Sequence, residues 1–204
     1  MIKTIINFFK RNTDVFRPII VLTAICLVVA VLLSLTNLIT KEKIANMEAA
    51  TSKQAMAQLI TAQSYEQINA NGNNELYIAK NGEEINGYIV KTAARGYGGD
   101  IKIMTAISTD KKVLGTKILS AADETPGLGQ NVTKEGFYSQ FIGKTENIAL
   151  VKNGADADKN EIDAVTGATI SSRAVTSAVN EAFVCLNEYL KTVEVSTEKT
   201  GEVQ

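Results

Sequence analysis

The chain has 204 residues with a formal net charge of −1, no histidine and two cysteines. That length suits one ordinary domain and an appendage. The missing histidine excludes His-ligated haem, His-containing zinc sites and a Ser-His-Asp triad. With no Cys-x-x-Cys, iron–sulfur ligation within the chain is excluded too, so any redox chemistry falls to an organic cofactor. The first predicted element is the uncharged run from Ile19 to Ile39, which follows Pro18. As a helix it would span about 31 Å, the thickness of a bilayer's hydrocarbon core. It is too long for the apolar region of a signal peptide, and no small-x-small site follows it, so a retained anchor over 18–40 is expected. Lys3, Lys10, Arg11 and Arg17 precede it with Asp14 as the single acid. This asymmetry predicts a cytoplasmic tail over 1–17, a single-pass anchor in the cell (inner) membrane and an extracytoplasmic domain over 41–192. Four of the 21 basic residues and one of the 22 acidic ones precede residue 40, leaving 17 against 21 in the domain. That balance, without a basic run, argues against a nucleic-acid partner.

Lys41 to Thr61 is rich in Ala, Glu, Lys, Met and Gln and reads as helix. Asn69 to Asn74 reads as a turn around Gly72. The period then changes to two. Glu75–Lys80 and Ile85–Ala94 flank Asn81-Gly82, which predicts a hairpin with an Asn-Gly turn. Asp100–Thr109 and Val113–Ser120 form a second pair, in which Ile101, Ile103, Thr105 and Ile107 make one face more apolar than the other. After a helical reading over Val132–Phe141, Asn147–Val151 and Ile162–Val165 are short strands. Hairpins joined in series, with helices at the two ends of the chain, predict an α+β domain with a mainly antiparallel sheet. No Gly-x-Gly-x-x-Gly opens a helix after a strand, so a Rossmann site is unsupported. The last helix is predicted over Arg173–Lys191, with Ser171 or Ser172 as its N-cap and Cys185 as a small core residue. Val193 to Gln204 loses the apolar period and reads as a disordered tail.

Three stretches carry the functional reading. Asp163-Ala164-Val165-Thr166-Gly167-Ala168-Thr169 runs into this helix, whose first N–H groups and dipole favour a phosphate. Two small residues between two hydroxyls let a bulky partner approach the backbone. Glu124-Thr125-Pro126-Gly127-Leu128-Gly129 holds a Pro-Gly pair suited to positions i+1 and i+2 of a type II turn. Arg95-Gly96-Tyr97-Gly98-Gly99-Asp100 joins two strands and offers backbone N–H groups beside an aromatic face.

The pattern Asp-x-x-Thr-Gly-Ala-Thr resembles the acceptor sequence of the FMN-binding domain family, and Glu124–Gly129 and the Gly-Tyr-x-Gly run Gly96–Gly99 resemble two further signatures of it. The resemblance implies an FMN joined by a flavin transferase through a phosphoester to Thr169, with Asp163 in the transferase's recognition sequence. It implies Thr166, Gly167, Ala168 and Ser171 around the phosphate, Glu124, Thr125, Pro126, Gly127, Leu128 and Gly129 against the isoalloxazine ring, and Tyr97 and Gly98 nearby. No catalytic residue and no metal ligand is implied. Thr166 stands where serine is commoner in the family, and a hydroxyl is kept. The layout of anchor, one FMN-binding domain and short tail resembles the G subunits of Rnf-type ion-translocating ferredoxin:NAD oxidoreductases. The C subunits of sodium-translocating NADH:quinone reductases share the signatures; the compact length favours the former. The implied partners are the other membrane subunits of such a complex. A free-standing extracytoplasmic FMN carrier or reductase, and a membrane-anchored binding domain without cofactor, are the alternatives.

Overall fold

The computed structural model describes residues 13–69 and 74–201. Most of the expected tail over 1–17, and all but the ends of the expected turn over 69–74, lie outside the described residues. The chain divides into two compact units, Met1–Ala49 and Ala50–Gln204.

In the first unit the described residues belong to helix α1 (Thr13–Leu59). The helix starts upstream of Pro18, which therefore lies inside it rather than opening it. A proline at this depth removes one N–H from the i→i−4 ladder of the helix. From Ile19 to Ile39 the large apolar side chains are exposed, Leu22, Leu33 and Leu38 among them. Such a surface is unfavourable in water at every turn of the helix, and its length and hydropathy are enough to cross a membrane.

In the second unit, strands β1 (Ser64–Asn69), β2 (Glu75–Asn81), β3 (Glu84–Arg95), β4 (Asp100–Ile107) and β5 (Val113–Ser120) form one antiparallel sheet in sequential order. The tight pair between β2 and β3 is Gly82-Glu83, one residue later than expected, because Asn81 itself pairs with Glu84. Gly82 at φ +63 occupies the first central position, where a primed turn requires a positive φ. A short helix α2 (Glu135–Tyr138) lies between 3-10 turns at Gly129–Thr133 and Ser139–Phe141, so the helical reading of 132–141 holds only in pieces. Strands β6 (Ala149–Val151) and β7 (Glu161–Asp163) form a small parallel pair, and α3 (Thr169–Gly201) closes the chain.

Both faces of the sheet are covered. On one, Val175, Val179, Ala182, Phe183 and Leu186 of α3 share a core with Leu76, Val90, Ile101, Ile103 and Ile107. The Thr92 hydroxyl fastens this layer by donating to the Ala178 carbonyl at 3.0 Å. On the other face, Ala55 and Met56 from the last turns of α1 and Ile60 just after it pack with Ala79, Ile89, Met104 and Ala106. The alternation in β4 therefore separates two cores, rather than a core from solvent. Cys185 is buried as expected, and burial pushes its thiol pKa up.

Two expectations about α3 change. Its first residue is Thr169, and the Ser172 N–H donates to the Ala168 carbonyl at 2.9 Å. Ala168 is thus the cap, and Ser171 and Ser172 lie one turn inside the helix. The Ser172 hydroxyl has a different use: it accepts the Val165 N–H at 3.0 Å and ties the incoming loop to the first turn. At the other end, the segment expected as a tail from Val193 is helical through Gly201. The apolar period stops near Lys191, but no glycine or proline interrupts the backbone ladder between 192 and 200.

Candidate functional site

The Thr-Gly-Ala-Thr segment is a turn fused to a helix. The Ala168 N–H donates to the Val165 carbonyl at 2.9 Å, and Gly167 has φ +78. Thr166 has an ordinary negative φ, so the turn is type II, with glycine where the backbone requires a left-handed residue. A side chain on Gly167 would come within 3.2 Å of Leu128 Cδ2. Glycine therefore serves both the turn and the close approach of the 124–129 loop. The helix then begins with an alanine cap that has no side-chain oxygen. The N–H groups of its first turn have no intrahelical acceptor, and that turn contains no acidic residue.

The second loop repeats the device. The Leu128 N–H donates to the Thr125 carbonyl at 3.2 Å, with Pro126 and Gly127 between them and Gly127 at φ +75. This is the type II turn expected from the Pro-Gly pair. The Asn131 amide donates to the Gly127 carbonyl at 2.7 Å and holds the turn against the following 3-10 segment.

Glu124 joins these pieces to a third. It is only 2% exposed. Its Oε1 accepts the Gly98 N–H at 3.0 Å, and its Oε2 accepts the Ser171 hydroxyl hydrogen. Burial pushes the carboxyl pKa up. The Ser171 hydroxyl and the backbone N–H groups of Gly98, Gly99 and Tyr97 outweigh that and hold it below the usual carboxylate range. Glycines surround this carboxylate because nothing larger fits. A Cβ on Gly96 would lie 2.2 Å from Oε1, and one on Gly129 would lie 2.4 Å from Oε2. On Gly98 it would strike the Asp123 carbonyl oxygen at 1.8 Å. Three segments far apart in sequence thus converge on one buried ionised group.

Between them lies a pocket of about 510 Å³, lined by Tyr97, Glu124, Thr125, Leu128, Gly129, Gly167, Ala168, Thr169, Ile170 and Ser171. Its rim carries exposed apolar surface: Tyr97 is 69% exposed, Leu128 48% and Ile170 51%. Of the residues expected at the site, nine line this pocket. Gly98 adjoins it through Glu124, while Thr166, Pro126 and Gly127 are exposed outside the lining. Asp163 is held elsewhere. Its carboxylate accepts the Ala155 N–H at 2.9 Å, and its backbone is bracketed by the Gln140 side chain. Ile170 is the lining residue that sequence reasoning missed. Its signal was present, since an exposed first helical turn rarely needs a large apolar residue.

The pocket suits a planar, largely apolar group ending in an anion. Its volume falls within the usual range for small-molecule sites, and a ring would cover the exposed faces of Tyr97, Leu128 and Ile170. The uncapped first turn of α3, which also carries Ile170, favours an anionic group, and the half-buried Thr169 brings a hydroxyl to the lining. Among the described residues, no cluster of His, Cys, Asp or Glu could hold a metal ion.

Comparison with known proteins follows the same line. A family model described as FMN-binding domain matches residues 96–184, which contain all three loops. The chain is similar to the G subunit of the proton-translocating ferredoxin:NAD(+) oxidoreductase complex of Clostridium ljungdahlii, with 33% identity over 174 residues covering 85% of this chain and 92% of that one. With the G subunit of the Na(+)-translocating ferredoxin:NAD(+) oxidoreductase complex of Acetobacterium woodii it shares 36% identity over 186 residues, covering 81% and 88%. Among solved structures, the C subunit of the Na(+)-translocating NADH-quinone reductase from Parabacteroides distasonis aligns with a TM-score of 0.47 and 25% identity over 53% of this chain and 58% of that one.

Proposed function

The chain belongs to the family of FMN-binding domain proteins that includes the G subunits of the ion-translocating ferredoxin:NAD(+) oxidoreductase complexes, and from that membership we propose that it is their membrane-anchored electron-transfer component. The observation that carries this reading is the meeting of the Thr166–Ser171 and Glu124–Gly129 segments on one pocket. Separated by some forty residues, they would have no reason to face each other if the threonine motif were only a helix start.

FMN would be held through its phosphate on the Thr169 hydroxyl oxygen, with the first turn of α3 and Ser171 beside it and Tyr97, Leu128 and Ile170 around the ring. Bound there, FMN supplies exchange of one or two electrons between neighbouring carriers. The chain's own residues position and shelter it, and no general base is required of them. A phosphoester suits a domain outside the cell, because a tether keeps the flavin at high local concentration where a dissociated one would be lost. The helix Arg17–Leu59 supplies the anchor, and the basic residues before it put the N-terminus in the cytoplasm. Maturation then requires a flavin transferase that recognises Asp163 to Thr169. The remaining partners are the other membrane subunits of the complex, which co-purification in mild detergent would identify.

The test is the intact mass of the native chain, which should exceed the sequence mass by one FMN less one water. The flavin should stay with the polypeptide through denaturing electrophoresis. Thr169→Val keeps the branching and removes the hydroxyl, so it should abolish attachment while changing stability by about 1 kcal/mol or less. Covalent flavin on that variant, made alongside the transferase, would falsify the assignment.

A further inference from the structure

Resting on the reading above, we propose that Glu124 sets the charge selectivity of the pocket: its carboxylate keeps a free flavin phosphate out, so that FMN occupies the site only when tethered. Among the described residues that line the pocket there is one carboxylate and no lysine or arginine. Arg173 lies one turn further along α3, exposed and outside the lining, and Asp123 adds a second acid behind the Gly98-Gly99 turn.

The carboxylate is held at both oxygens, by the Gly98 N–H and the Ser171 hydroxyl, in a space that a side chain at Gly96 or Gly129 would fill. Ser171 stands in the first turn of α3, beside the N–H groups that would receive a phosphate, and its hydroxyl is already taken by the carboxylate. A helix N-terminus offers roughly half a positive charge, whereas an ionised carboxylate brings a whole negative one. A free phosphomonoester carries about −1.5 to −2 at neutral pH, against one negative charge once it is esterified to a hydroxyl. Tethering therefore cuts the charge that Glu124 opposes by about a third to a half and replaces binding from solution with a local reaction. The apolar rim is indifferent to this: Tyr97, Leu128 and Ile170 attract a neutral flavin as well as a phosphorylated one. The pocket thus discriminates against the very charge its occupant carries when free.

The full-length chain, produced without a flavin transferase and purified in detergent, is titrated with riboflavin and with FMN, with binding read by flavin fluorescence polarisation. Riboflavin should bind about tenfold or more tightly than FMN. Glu124→Gln retains the shape, since its carbonyl can accept from Gly98 and its amide can donate to the Ser171 oxygen. It should narrow the ratio of the two affinities, bringing FMN within about threefold of riboflavin. If Glu124→Gln does not fold, Thr125→Lys serves instead. It adds a cation at an exposed lining position and should raise the FMN:riboflavin affinity ratio.

Equal or tighter binding of FMN by the parent chain overturns the proposal. So does an FMN:riboflavin ratio that neither variant moves, or a parent chain that binds neither flavin, because charge would then not be what excludes FMN. A native chain of flavinylated mass with a flat ratio would overturn this proposal and leave the attachment standing.

Discussion

Glu124 is a buried carboxylate that ties two distant segments to its own loop, and its protonation should be visible in stability. The folded chain holds its pKa below the ordinary value of 4.5, so the unfolded chain binds that proton more readily. The contribution is complete above about pH 4.5 and is lost as the pH falls through the lower folded value. Urea unfolding at several pH values should therefore show Glu124→Gln differing most from the parent near neutrality and converging on it toward pH 3. A difference that is the same at pH 3 as at pH 7 would mean that folding does not lower the carboxyl pKa. Thr166 makes the complementary case. It is exposed and outside the pocket lining, so Thr166→Val leaves in place the Thr169 oxygen proposed as acceptor. Covalent flavin should persist on it, at lower occupancy if the transferase reads that hydroxyl. Mass spectrometry measures that fraction directly, and complete loss would transfer the acceptor role to Thr166.

Among the elements, the two type II turns test how much of the site is backbone geometry and how much is packing. Gly127 has φ +75 and open space where a side chain would go, so Gly127→Ala meets only the left-handed backbone cost, roughly 1 kcal/mol. Gly129 has no such φ, but its Cβ would lie 2.4 Å from Glu124 Oε2 and 2.9 Å from Ser171 Oγ. Gly129→Ala should cost more, about 2–3 kcal/mol, and should also change the visible circular dichroism of an attached flavin. Equal unfolding free energies for the two variants would remove Glu124 from the centre of the site. The contrast also marks where sequence reasoning stops. Pro126-Gly127 announces its turn because the requirement is local, and Thr166–Thr169 announces a helix entry for the same reason. The need for glycine at 96 and 129 arises from the Glu124 carboxylate, and at 98 from the Asp123 carbonyl, and these partners arrive only in the fold, Glu124 lying 26 residues from Gly98 and 47 from Ser171. Strand β1 was missed because Ser64–Asn69 is polar and lies at the sheet edge, where pairing with β2 places it and no apolar alternation marks it.

At the scale of the whole chain, one asymmetry decides where the flavin works. Before the apolar run there are four basic residues and one acid, while the domain after it has 17 basic residues against 21 acidic ones. Positive flanks are retained on the cytoplasmic side, so the domain should lie outside. The two native cysteines must first be removed as Cys26→Ala and Cys185→Ala. Cys26 is exposed in the span, and Cys185 is buried as a small apolar residue for which alanine is the mildest replacement. Single cysteines are then placed at Asn7, before the span, and at Asn153, an exposed position in the domain. A membrane-impermeant thiol reagent applied to intact cells, or to spheroplasts where an outer membrane intervenes, should label Asn153→Cys and leave Asn7→Cys untouched. After lysis both should react, which shows that the second thiol was shielded by the bilayer and not by the fold. Labelling of Asn153→Cys only after lysis would put the domain in the cytoplasm. The pocket and its threonine would survive that result, but the need for a covalent tether would not, because a flavin that dissociates inside the cell is not lost to it.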